Sequence, residues 1–217
     1  MGPGTVVVPL QNGIDATERL GRIVGEDAVV VGITYVRSTR MAPATIDHTA
    51  NTRIILGEPG GGLSPRAEAI ADVLRRAGVD VEVHPDPLVP LWEKFVGLSA
   101  VAGMATLTRL PLGPILACPE THEGLFAAME EVVAVGHALG IAIPADCVDG
   151  FRALVRSLPP RARPSMAVDL EAGRRLELES VNGVVVRLGR DAGVPTPMNV
   201  AIYAALKPYL NGAPALP

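Results

Sequence analysis

The 217-residue sequence predicts two regions of different class, an open α/β part over residues 1–85 and an all-helical domain over residues 86–217. Three observations carry the prediction. Up to Val83, short β-branched runs alternate with segments of helical periodicity, the pattern of a sheet interleaved with helices. His84-Pro85-Asp86-Pro87 then puts two prolines into four residues, which breaks helix and strand alike. Beyond that break the apolar residues recur at helical spacing, with glycines at the stops.

The first strand is read over residues 5–9, from Val6, Val7 and Val8, and it runs into the polar turn Gln11-Asn12-Gly13. A strand, a polar turn and a helix over residues 16–24 make one βα unit, and such sheets bind ligands at the carboxyl ends of their strands. Strands follow over 28–35, 44–49 and 53–56, the last ended by Gly57. Gly57 to Gly62 is a loop by composition. Ser64-Pro65 opens a helix, with Ser as N-cap and Pro at the first helical position; Ile70, Val73 and Leu74 form its apolar stripe and Gly78 closes it. A short strand over 79–83 ends the α/β part. Helices are then predicted over 88–107, 112–117, 120–139, 144–158, 166–172, 177–192 and 197–210. Four residues precede the first strand and none of them forms a glycine-rich phosphate loop, so the expectation is a nucleotide-binding domain entered partway along.

Composition narrows the classes. With 48% hydrophobic and 19% charged residues the chain can bury a sizeable core. A net charge of −4 lacks the basic excess of a nucleic-acid surface. Arg161 with Arg163, and Arg174 with Arg175, read as solvated or substrate-steering spots. Cys118 and Cys147 are far apart without metal spacing, which suits a reduced, cytoplasmic protein. No charged start leads into an apolar run and a small-residue cleavage site, so no signal peptide is expected. The apolar run over 97–104 reads as too short and too flanked by charge to span a bilayer. His48, His84, His122 and His137 share no zinc spacing, and Ser99 and Ser180 lack the glycines of a nucleophile elbow, so neither a metal site nor a catalytic triad is expected. Met129 and Met166 read as core filler.

Four residues stand out as candidates for chemistry. Asn12, at the end of the first strand, can present an amide to a ribose, carboxylate or carbonyl; Asn12-Gly13 is equally a tight turn with a left-handed residue, and local sequence favours the turn. Lys94 lies in Leu91-Trp92-Glu93-Lys94-Phe95 on a largely apolar helix. It either snorkels to water, the better reading of the residue alone, or sits partly buried, where a depressed pKa suits it to give a proton. Glu177 lies in Leu176-Glu177-Leu178-Glu179, where one of the two carboxylates must face more inward than the other on a helix; the plainer reading is a surface helix start, where acids complement the dipole. Ser165 fits an N-cap, a position compatible with holding a carboxylate.

Taken together, these segments resemble the ketopantoate reductase family, the 2-dehydropantoate 2-reductases. The matching pieces are Val7-Val8-Pro9-Leu10-Gln11-Asn12-Gly13-Ile14, Leu56-Gly57-Glu58, Trp92-Glu93-Lys94-Phe95, Pro164-Ser165-Met166 with Asp169, Glu177, Val181-Asn182-Gly183, and Gly193-Val194-Pro195-Thr196-Pro197-Met198-Asn199, in the family's order. The resemblance implies a Rossmann-type NADP-binding domain, partial here, joined to a helical domain and related to the 6-phosphogluconate dehydrogenases. It implies hydride transfer from NADPH to the ketone of 2-dehydropantoate in pantothenate biosynthesis, with a homodimer formed through the helical domain. Lys94 then matches the lysine that binds the ketone and protonates it, stabilising charge on its oxygen. Asn12 matches the asparagine beside the nicotinamide ribose and substrate, Ser165 the serine that holds substrate, and Glu177 the acid near cofactor and lysine. Ser38, in Val36-Arg37-Ser38, falls at a backbone contact to cofactor.

Two departures bear on function. The family's opening strand, glycine-rich loop and basic residue for the 2′-phosphate have no counterpart here, so most cofactor affinity is expected to be lost, and exposed sheet edge to favour association. The asparagines that the family often carries one and two turns after its lysine are Leu98 and Ala102 here, which points to a more apolar 2-keto acid or ketone. Three readings follow: a reductase of this family, a non-catalytic fragment or dimerisation module of a split or truncated reductase, and a dehydrogenase of the wider superfamily with a different substrate.

Overall fold

The computed structural model describes residue 2 and residues 4–214. The chain divides into two compact units: Asp15–Leu91 with the residues before Asn12, and Asn12–Ile14 with the residues from Trp92 onward.

The first unit is built on a three-stranded sheet in the order β1 (Val31–Thr34), β4 (Arg53–Gly57), β5 (Asp80–Val83). β1 runs antiparallel to β4, and β4 runs parallel to β5 across α2 (Pro65–Arg76). Val30, Ile54, Leu56, Ala71 and Val81 form its core, with Val6 and Val8 packed on it. The expected first strand shrinks to one parallel bridge, in which Val7 N–H donates to Ala28 O (2.8 Å) and Val30 N–H to Val7 O (3.0 Å). Pro9 has no N–H with which to extend that ladder. α1 (Ala16–Val24) stands as expected. α2 is capped as its sequence dictates: Ser64 Oγ accepts from Ala67 N–H at 3.2 Å, Pro65 opens the first turn, and Gly78 takes φ +84°.

The sequence reading misses β2 (Arg37–Ala42), which pairs antiparallel with β3 (Thr45–Ala50). All of β2 and nearly all of β3 are exposed. With no face turned to a core, β2 carries no apolar alternation by which to recognise it.

The second unit is helical: α3 (Leu88–Thr108, its first turn counted with the other unit), α4 (Leu112–Ala117), α5 (Pro119–Ala138), α6 (Cys147–Ser157), α7 (Ser165–Glu171), α8 (Val184–Ala192) and α9 (Pro197–Leu206). Most bounds fall within a residue or two of expectation. Two depart. α6 starts at Cys147 rather than at Pro144, and α8 is entered through a π-helical turn, Glu179–Gly183. Phe95, Leu125, Met129, Met166, Leu178 and Ile202 are fully buried in the core, which bears out both methionines as filler. Among the described residues α3 is long and apolar enough to cross a membrane, yet 67% of its most apolar window is buried inside the protein. Its composition is that of a core helix.

Glycines let these helices approach. A Cβ on Gly103 of α3 would fall 2.8 Å from Asn182 Nδ2, and one on Gly136 of α5 would fall 2.4 Å from Ile143 Cδ1 and 3.0 Å from Trp92.

Candidate active site

The second unit brings three of the expected residues together. Lys94 lies in the second turn of α3. Its neighbours Trp92, Phe95 and Val96 are buried, so the lysine is held half-buried rather than extended freely into water. Asn12 sits in the turn that joins this unit, and the following Gly13 takes φ +101°. The turn reading of Asn12-Gly13 is compatible with an engaged amide, since the left-handed glycine and the amide's contacts coexist. Lys94 Nζ donates to Asn12 Oδ1 at 3.4 Å, and Asn12 Nδ2 donates to Glu177 Oε2 at 3.4 Å. Both bonds are long, as is usual for a site that tightens around its ligand.

Desolvation pushes the Lys94 ammonium below its ordinary pKa, and the charge of Glu177 pulls in the opposite sense. The result is a cation steadied by one carboxylate yet readier than a surface lysine to release a proton. Asn12 is bonded once through each amide atom, which leaves it one N–H and one lone pair for a ligand.

Glu177 and Glu179 share the work differently from a simple inward–outward pair. Glu179 is the more buried, but it is taken by Tyr203 Oη (3.1 and 3.2 Å) and by Lys207. Burial raises its pKa, and the bonds from Lys207 and Tyr203 outweigh that and hold it below the ordinary value. The exposed Glu177 is the one that meets Asn12.

Ser165 is not an N-cap. It is the first residue of α7, exposed, with Pro164 in the cap position and no side-chain capping bond. It takes no part in the hydrogen bonds that join Asn12, Lys94 and Glu177. Ser38 belongs to the first unit, exposed on β2 opposite His48. Cys147 is half-buried with its thiol pushed up to about 11, first by burial and then by Glu93 and Asp146, so it is protonated and inert. Among the described residues no three metal-type ligands cluster.

Sequence reasoning missed a buried polar network behind α3. Asn182 Nδ2 donates to Ser99 O (3.3 Å) and Asn199 Oδ1 (3.0 Å); Asn199 Nδ2 donates to Ala128 O (3.2 Å) and Glu131 Oε2 (2.7 Å). Glu131 also accepts the N–H groups of Met198 (2.7 Å) and Asn199 (2.9 Å), capping the start of α9 with a carboxylate. The available signal was two asparagines standing among apolar helical residues, at Val181-Asn182-Gly183 and Pro197-Met198-Asn199.

An α/β unit of Rossmann type followed by a helical unit that sets a half-buried lysine against an asparagine and a glutamate defines the class of two-domain protein. Two family models match the chain, "Ketopantoate reductase PanE/ApbA C terminal" over residues 89–210 and "Ketopantoate reductase PanE/ApbA" over residues 1–61. The 2-dehydropantoate 2-reductase of Mycobacterium tuberculosis is 30% identical over 213 residues, covering 96% of this chain and 68% of that protein. That of Halobacterium salinarum is 29% identical over 198 residues, covering 90% and 64%. The crystal structure of 2-dehydropantoate 2-reductase from Methylococcus capsulatus superposes with a TM-score of 0.87 at 32% identity, over 95% of this chain and 66% of that one. The chain belongs to the ketopantoate reductase family. It spans roughly two-thirds of the length of these relatives.

Proposed function

We propose that this chain carries the proton-donating and substrate-holding part of an NADPH-dependent reduction of a 2-keto acid, of the 2-dehydropantoate 2-reductase type. The observation that supports it is the chain of bonds from Lys94 through Asn12 to Glu177. NADPH, when bound, supplies the hydride to the ketone carbon. Lys94 Nζ then gives its proton to the ketone oxygen, so a carbonyl and a hydride become a secondary alcohol and the amine is left neutral until solvent reprotonates it. Before that transfer the ammonium lies against the oxygen on which negative charge grows, and burial strengthens the attraction. Asn12 orients the lysine and uses its spare N–H and lone pair on the nicotinamide ribose. Glu177 holds Asn12 and keeps Lys94 protonated, and Ser165 takes the substrate carboxylate.

Asn12 and Glu177 fit the nicotinamide end of the cofactor; these 217 residues contain no glycine-rich loop for the pyrophosphate. The reading includes a cytoplasmic homodimer formed through the helical unit, where Leu110, Leu139, Leu154 and Val200 are exposed.

The test is titration of NADPH into the chain, followed by its oxidation with 2-dehydropantoate. In a version of the protein that also carries the family's opening strand and glycine-rich loop, Lys94→Ala is expected to lower turnover by about 10²–10⁴-fold, the usual contribution of a general acid, with NADPH affinity little changed. Unchanged turnover would refute the role of Lys94.

A further inference from the structure

The face of α3 that carries Lys94 continues, three and four residues on, into Gly97 and Leu98, then Val101 and Ala102, then Ala105. None of these side chains bears a donor or an acceptor. Side chains on a helix lean toward its N-terminus, so Leu98 leans over the turn that holds Lys94. At Gly97 the missing side chain is replaced by the ring of Phe151 from α6: a Cβ there would fall 2.1 Å from Phe151 Cε1, 2.5 Å from Cδ1 and 2.6 Å from Cζ. Leu98 and Phe151 are both half-buried, so neither is sealed in the core. One turn before Phe151, Cys147 adds a protonated thiol and no charge. Ser99 of this stretch is already engaged: its Oγ donates to Val96 O (3.3 Å) and its carbonyl accepts from Asn182 (3.3 Å).

We propose that Leu98 and Phe151 form the wall that receives the arm of the substrate beyond its ketone, and that the preferred substrates are 2-keto acids whose arm is alkyl and carries no hydroxyl. The inference rests on the reading of Lys94 as the ketone-binding group. A hydroxyl pressed against Leu98, Phe151 and Gly97 would leave water and find no partner, which costs binding, whereas a methyl in its place would gain from burial.

Two acids isolate this term. 2-Dehydropantoate and 3,3-dimethyl-2-oxobutanoate differ only in a hydroxyl on one methyl group. Calorimetric titration of each into the chain with NADP⁺ present, which permits binding and forbids reduction, should give about tenfold tighter binding of the dimethyl acid, a difference of about 1.4 kcal/mol. Equal binding, or tighter binding of 2-dehydropantoate, would overturn the inference and leave the ketone site standing. Binding of neither acid would remove the site and the inference with it. Leu98→Asn, at a half-exposed position and checked for native circular dichroism, should bring the ratio to one or below by giving the hydroxyl an amide. An unaltered ratio in that variant would refute the assignment of the wall to Leu98.

Discussion

Asn199→Ala is expected to be among the most destabilising single truncations of a polar side chain in the helical unit. It removes three bonds: to Asn182 (3.0 Å), to the Ala128 carbonyl (3.2 Å) and to the Glu131 carboxylate (2.7 Å). Two neutral bonds contribute about 0.5–1.5 kcal/mol each and one to a charged group about 1.5–3 kcal/mol, a sum between about 2.5 and 6 kcal/mol. The lower part of that range applies, because Glu131 keeps the N–H groups of Met198 and Asn199 and its half-buried position admits water. About 3 kcal/mol lowers the melting temperature of a chain this size by about 6–12 °C. Thermal unfolding followed by circular dichroism measures it. Asn182→Leu is the internal control. It forfeits two bonds, but it also removes Asn182 Oδ1, which is buried without a partner and already costs about 1–3 kcal/mol. A drop below about 2 °C for Asn199→Ala, or a larger drop for Asn182→Leu, would refute this account of the network.

Three further outcomes can be checked. Lys94→Met should raise stability at neutral pH, since the folded state depresses the lysine pKa and so pays to keep it charged; as pH climbs through that pKa toward the ordinary 10.5, the wild type sheds the penalty and the advantage of the variant shrinks. Melting curves across that interval decide, and a variant less stable at neutral pH would contradict it. Glu177→Gln should move the alkaline fall of turnover to lower pH, because the charge that helps keep Lys94 protonated is gone; a pH–rate profile with an unmoved limb would count against that charge coupling. Gly97→Ala should cost about 1–3 kcal/mol through displacement of the Phe151 ring, read from denaturant midpoints, and an unchanged midpoint would mean that the ring yields freely.

Most helices were legible because burial imposes a period: α5 is found one residue from its expected bounds, and α2 follows its Ser64-Pro65 start and Gly78 stop. β2 was missed, having no burial pattern to mark it, although its almost equally exposed partner β3 was read one residue from its place. The run Val6-Val7-Val8 looks like a full strand but pairs only through Val7, because β-branched composition reports a fit to a sheet and not the presence of a partner. The π-helical turn left no mark in composition. In the site, Lys94 was conspicuous as a charge on an apolar helix, while Asn12 looked like an ordinary turn residue; its use depends on Lys94 and Glu177, 82 and 165 residues away.

The same distance problem explains why the hidden network and the site belong together. Lys94 and Glu177 are linked through Asn12. Five residues beyond each stands a member of the buried network, Ser99 on α3 and Asn182 in the π-helical turn, and Asn182 Nδ2 donates to the Ser99 carbonyl. Gly103 permits that approach, since any side chain there would strike the Asn182 amide. A π turn adds a residue to a helical circuit and so re-aims the residues around it; the turn at Glu179–Gly183 points Asn182 into the core while Glu177, just before it, stays at the surface beside Asn12. The two contacts through Asn12, at 3.4 Å, are long for hydrogen bonds. The fully buried amide pair behind them supplies the stiffness, and accepts one unpartnered oxygen as its cost.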